Sequence, residues 1–135
     1  LIIYKEKIAS SFTAVDVSVK EIIHTMSEVD HLSDEGLLFR TSFVLREVLN
    51  NSVEHGNHFD ESKFIECHVD FDYPYLQIMI QDEGEGFHVN QAYYNTLDND
   101  KRERHRGLQL IEELEFEIHI HKSTFKLKTN VVEKG

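Results

Sequence analysis

The chain has 135 residues, enough for one domain (1–135) with a two-layer core, and its 14 basic against 25 acidic residues give a formal net charge of −11. That balance argues against a nucleic-acid backbone as a direct partner. A single cysteine excludes a disulfide framework or a thiolate metal site, and no apolar run approaches the length that spans a bilayer. The opening Leu1-Ile2-Ile3-Tyr4 is too soon interrupted by charge to be a signal peptide, so a cytoplasmic location is expected.

Residues 1 to 10 predict a first strand. Thr13 and Asp16 are placed as a capping pair for a helix running to Glu28, with Val15, Val19, Ile22, Ile23 and Met26 along its apolar side. A polar connection from Asp30 to Asp34 leads into a long helix from Glu35 to His55. Gly56 and Asn57 follow, residue types that tolerate a left-handed stop.

The long helix carries the most informative stretch. Glu47 and Asn51 stand one turn apart on one face, while Leu38, Leu45 and Leu49 fall on the opposite one. Glu54 and His55 continue the polar row. A carboxylate and a carboxamide so arranged suit a hydrated Mg²⁺, which takes oxygen ligands and keeps several waters. A solvated helix face is the alternative.

The period then changes to two. Ile65, Cys67, Val69 and Phe71 alternate with polar residues, and Cys67 on this parity is a buried small hydrophobe. Tyr73-Pro74 breaks the run, and Leu76, Ile78 and Ile80 form the partner strand of an antiparallel hairpin. Asp82 continues the core-facing parity of that strand, where an unpaired charge is costly. It needs a donor, which an adenine amino group or a backbone turn could supply. Gly84 and Gly86 allow left-handed dihedrals and close approach of a flat ligand.

A weakly patterned stretch from His88 to Arg106 precedes a short helix from Leu108 to Leu114. Lys101, Arg102, Arg104 and Arg106 form a local basic run in an acidic chain, fit either to bind a triphosphate or to pair with Glu103, Glu112 and Glu113. Gly107 at the helix start would expose backbone N–H groups to an anion. The chain ends in a second hairpin, with Phe116, Ile118 and Ile120, a turn near Lys122-Ser123, and then Phe125, Leu127, Thr129 and Val131. His119 and His121 share its polar face, but the sequence places no third metal ligand beside them. Helices and antiparallel strands occupy separate parts of the pattern. The expected class is α+β, a two-layer sandwich with a mixed, mostly antiparallel sheet covered on one face by helices.

Glu47-x-x-x-Asn51 on a helix, Asp82-x-Gly84-x-Gly86 after a strand, and Arg106-Gly107-Leu108 opening a helix together resemble the histidine-kinase-like ATPase superfamily, whose fold is shared with gyrase-type and heat-shock chaperone ATPases. The short length looks most like the bacterial anti-sigma-factor serine/threonine kinases. The resemblance implies ATP and Mg²⁺ as cofactors. It makes Glu47 the acidic residue that polarises the attacking group and Asn51 the Mg²⁺ ligand. Asp82 becomes the adenine-binding aspartate, with Gly84 and Gly86 shaping the pocket wall. Arg106, Gly107 and Leu108 become the opening of the phosphate-proximal helix, and 88–106 the lid. Two positions depart from the family pattern: His105 stands where a glycine is common, and Gln109 where glycine or an apolar residue is. The implied partners are a sigma factor and a small anti-sigma antagonist protein, with a homodimer left open. The chain has no room for the dimerising helix pair of a sensor kinase. The implied function is an ATP-dependent protein kinase that phosphorylates the antagonist and sequesters the sigma factor. The competing reading is a nucleotide-binding or degenerate partner-switching module with little or no kinase activity.

Overall fold

The computed structural model describes residues 1–85 and 107–132. Strand β1 (Ile2–Ala9) is followed by helices α1 (Phe12–Ser27) and α2 (Glu35–Asn51), a π-helical turn (Ser52–Gly56), and the hairpin β2 (Phe64–Asp72) and β3 (Tyr75–Gln81). After helix α3 (107–113) comes the second hairpin, β4 (Glu117–His121) and β5 (Thr124–Asn130). The strand order is β1-β2-β3-β5-β4, and every pairing is antiparallel, so the described sheet realises only the antiparallel part of the mixed sheet expected.

Alternation decides which side of the sheet is covered. Ile65, Cys67, Val69 and Phe71 of β2, Leu76, Ile78 and Ile80 of β3, and Phe125 and Leu127 of β5 all face the core. Gln77 and Met79 lie on the opposite parity, exposed and half-exposed. The buried sheet residues join Val15, Val19, Ile22 and Met26 of α1 and Leu37, Val44, Leu45, Val48 and Leu49 of α2 in one cluster. A helical layer over one sheet face follows from matching the apolar stripe of each helix to that parity. Leu38 only packs at the edge of this core. Burial pushes the Cys67 thiol up to about 12, which leaves it an inert hydrophobe.

Three local expectations are corrected. The cap of α1 is Ser11, which has an extended backbone and whose side-chain oxygen accepts the Ala14 N–H at 3.1 Å. Thr13 lies inside the first turn. Asp16 instead takes Lys20 at 2.9 Å and Arg46 of α2 at 2.7 Å, and these bonds hold its carboxyl below the usual range. The left-handed residues after the long helix are His58 and Phe59, with φ of 53° and 58°, whereas Asn57 has φ −91°. Leu32, in the connection expected to be polar, is fully buried. Asp34 caps α2 by accepting from Leu37 N at 3.0 Å.

Candidate functional site

Glu47 and Asn51 occupy the last turns of α2, on the side away from Leu45 and Leu49. Their separation along the helix puts both groups at one end of the helical layer. Glu47 is partly buried, and this desolvation holds its carboxyl above the ordinary value of 4.5; the nearby Asn51 carboxamide offsets part of the shift. Asn51 is itself buried, and its Nδ2 makes no hydrogen bond of good geometry among the described residues. Proximity to Glu47 therefore influences the carboxyl without satisfying the amide.

The helix does not stop after Asn51 but widens into the π turn. Asn57 N donates to Ser52 O at 2.8 Å, five residues back, the bond that defines such a turn. Widening carries Gly56 against the end of β3, and the missing side chain is what lets the two meet. A Cβ on Gly56 would lie 2.8 Å from Asp82 Oδ1 and closer still to Oδ2. A Cβ on Gly84 would lie 2.5 Å from Gly56 O and 2.8 Å from its Cα. Gly56, Asp82 and Gly84 are thus packed backbone against carboxylate against backbone.

Asp82 is 4% exposed, and its Oδ1 accepts the Gly84 N–H at 2.9 Å. The turn-capping role that the sequence left open is therefore realised. The strand end is fixed by Asp82 N donating to Ser123 O at 3.2 Å.

Helix α3 brings the third motif to the first. Leu108 and Ile111 are buried in the core, and Arg40 of α2 donates to Leu114 O at 3.0 Å just beyond the helix. These anchors set Gly107 directly over Glu47: a Cβ there would lie 2.7 Å from Glu47 Cδ and closer to Oε1. Any side chain at 107 would have to displace the Glu47 carboxylate from this position. Gly86, Arg106, His105 and the rest of the 88–106 segment with its basic run lie outside the described residues.

Three residues that matter at the site escaped sequence reasoning. Gly56 was legible only as a helix stop, yet it is the floor beneath Asp82. Asn57 is buried and bonds to three separate segments, and Glu83 is tied at both its backbone and its carboxylate. Their partners are too distant in sequence for any local signal to show them. His55 sits within the π turn, 3.9 Å from Glu54, and no phosphoacceptor role is needed to explain it. His119 and His121 are exposed on β4, and the described residues hold no group of three or more His, Cys, Asp or Glu able to bind a metal.

The model of the histidine kinase-like ATPase domain matches residues 12–132, which takes in the α2 face, the Asp82 turn and α3. The chain belongs to this family. Among solved structures, it is similar to the histidine kinase domain from the Erythrobacter litoralis EL346 blue-light activated histidine kinase. Identity is 12% and the TM-score 0.53, over 87% of this chain and 61% of that one, a likeness that shows the fold alone. No curated protein matches the chain. For a histidine kinase-like ATPase domain, the expected ligand is ATP with Mg²⁺, and the residues present fit it. Glu47 and Asn51 offer oxygen donors beside a glycine-opened helix. With no denser ligand cluster among the described residues, the ion would complete its shell with phosphate oxygens and water, as Mg²⁺ commonly does.

Proposed function

We propose that the domain binds ATP and transfers its terminal phosphoryl group to a serine or threonine hydroxyl of a small anti-sigma antagonist protein, while sequestering a sigma factor. The observation that carries the nucleotide reading is the meeting of three sequence motifs at one end of the helical layer. Asp82 is held on Gly56 and Gly84, and Glu47 lies beneath Gly107. In this reading Asp82 accepts from the adenine amino group. Asn51 would hold Mg²⁺, which when bound offsets negative charge on the phosphates.

Glu47 orients the incoming hydroxyl. The hydroxyl oxygen forms a bond to the γ-phosphorus as the bond to the bridging oxygen breaks. ADP leaves, and the hydroxyl proton passes to the Glu47 carboxylate. The raised proton affinity of Glu47 favours this role over that of a mere counter-charge. Positioning matters more here than basicity.

A binding module that switches partners with little chemistry is supported by a different observation, the cover that Gly107 places directly on the Glu47 carboxylate. Two measurements separate these readings. Calorimetric titration with ATP and Mg²⁺ tests the site, and a single-turnover assay on proteins copurified from cell extract, scored for phosphoserine and phosphothreonine, tests the chemistry. Binding with transfer supports the kinase. Binding without transfer moves the assignment to the module, and no adenine-nucleotide binding refutes both.

A further inference from the structure

Asn57 lies just past the π turn and is 1% exposed, yet its side chain is fully engaged. Nδ2 donates to Ser10 Oγ at 2.9 Å, at the end of β1, and to Phe64 O at 3.2 Å, at the start of β2. Oδ1 accepts from Glu83 N at 2.8 Å, the residue that follows Asp82. A carboxamide alone supplies two donors and an acceptor in this space, since Asp lacks the donors and Ser is too short. The orientation is fixed as well: reversing the amide would set an oxygen against the Phe64 carbonyl.

The same turn is gripped a second time where Phe64 N donates to Glu83 Oε2 at 2.7 Å. Ser10 in turn donates to Lys63 O at 2.7 Å, which secures the far side of Asn57. Gly56, the residue before Asn57, is the one that touches the Asp82 carboxylate. The end of the π turn therefore controls both the side chain of Asp82 and the backbone immediately after it.

We infer that Asn57 is a positioning residue for the adenine end of the site, holding the Asp82–Gly84 turn in register with the π turn through the Glu83 N–H. The inference rests on the nucleotide reading above for its effect on binding, but not for its effect on the turn. It separates two jobs within one residue: Oδ1 serves the site, and Nδ2 serves the fold.

The test uses the whole chain with three substitutions. Asn57→Leu keeps the branched shape and removes every side-chain hydrogen bond. Asn57→Asp keeps an acceptor for Glu83 N–H but sets a carboxylate oxygen against the Phe64 carbonyl, and Ser10→Ala removes one partner of Nδ2 together with the bond to Lys63 O. Asn57→Leu is expected to raise amide exchange at Glu83 and to weaken ATP binding by about tenfold or more. Asn57→Asp, which keeps the Glu83 contact but opposes the Phe64 carbonyl, is expected to lower the melting temperature while exchange at Glu83 stays below that of Asn57→Leu, whereas Ser10→Ala lowers the melting temperature and leaves ATP affinity within about twofold. Wild-type exchange and affinity in folded Asn57→Leu overturn the inference. So does a Ser10→Ala variant that loses as much affinity as Asn57→Leu. If Asn57→Leu does not fold, Asn57→Ser carries the same expectation and the same refutation. Failure of the wild type to bind ATP refutes the proposed function, and the exchange at Glu83 then still decides whether Asn57 holds the turn.

Discussion

Replacing Gly56 with alanine is the sharpest perturbation the packing offers. The new methyl carbon would lie 2.8 Å from Asp82 Oδ1 and closer to the remaining carboxylate atoms, well inside contact distance. Gly56 does not adopt a left-handed φ, so the backbone itself accepts alanine, and chain stiffening alone would favour the variant by about 0.4–1 kcal/mol. The contact must be relieved elsewhere. Either Asp82 swings off the Gly84 N–H, forfeiting a charge-assisted bond worth about 1.5–3 kcal/mol, or the turn separates from Asn57 and loses a neutral bond worth about 0.5–1.5 kcal/mol as well. The net expectation is destabilisation of roughly 1–3 kcal/mol, with a fall in melting temperature of roughly 3–5 °C per kcal/mol for a domain of this size. Either relief moves the aspartate from its place, so ATP affinity should fall roughly ten- to a hundredfold. Gly36→Ala is the control, since its methyl would meet only Asp34 Oδ2, at 3.1 Å, at the other end of α2. Calorimetric melting and ATP titration on the three proteins decide the matter. A Gly56→Ala variant with wild-type melting and affinity would show that Gly56 and Asp82 do not form the floor of a nucleotide site.

Asp82→Asn preserves the acceptor for Gly84 N–H but removes the charge, so ATP affinity should drop about tenfold or more while stability changes by less than about 1 kcal/mol, read by calorimetry and urea unfolding. Glu47→Gln should slow phosphoryl transfer by at least about tenfold with ATP affinity retained, measured in single turnover. The same variant has a pH signature. Because burial raises the Glu47 pKa, the wild-type carboxyl favours the folded state when protonated and loses that contribution as pH rises through the raised value. Gln should therefore gain melting temperature relative to wild type near neutral pH, and the gain should vanish below the ordinary value of 4.5. Leu45→Ala, at a position with no exposure, should cost about 2–5 kcal/mol in urea unfolding and leave the ATP affinity of the folded fraction unchanged.

The layers of the fold were legible because each rests on a local period. Ile65 to Phe71 and Leu76 to Ile80 alternate cleanly, and α1 and α2 carry their apolar stripes at helical spacing, so the buried sheet face and its helical cover follow directly. Caps and stops were less legible. Ser11 and Thr13 are chemically equivalent candidates, and only the extended backbone at Ser11 decides between them. The left-handed positions fell on His58 and Phe59, residues that a propensity argument would not choose, because Asn57 is held inward by partners at Ser10, Phe64 and Glu83. At the site, Glu47, Asn51, Asp82 and Gly107 were visible as residue types at telling spacings. What joins them is tertiary. The π turn that seats Gly56 under Asp82, and the Arg40 anchor that sets Gly107 over Glu47, each depend on contacts that no window of sequence contains.

The two ends of the site differ in how completely they are satisfied, and this difference bears on function. Around Asp82 the described polar groups are bonded: Gly84 N to the carboxylate, Glu83 N to Asn57, Phe64 N to Glu83. Such an end is formed before any ligand arrives, and little ordering cost remains to weaken binding. Around Glu47 the opposite holds. The carboxyl is desolvated enough to raise its proton affinity, and the neighbouring Asn51 amide nitrogen is buried without a partner among the described residues. Unsatisfied buried polar groups cost stability, and they persist where a ligand or reaction makes use of them. A preformed aspartate end beside a desolvated carboxylate and an unsatisfied amide is what sequential use of one site would require. Under the proposed function the nucleoside would dock first on a rigid floor, and the groups around Glu47 would gain their partners only when phosphate, Mg²⁺ and the incoming hydroxyl met there. Substitutions at Gly56, Asn57 and Asp82 should then act mainly on affinity, and those at Glu47 mainly on the rate of transfer.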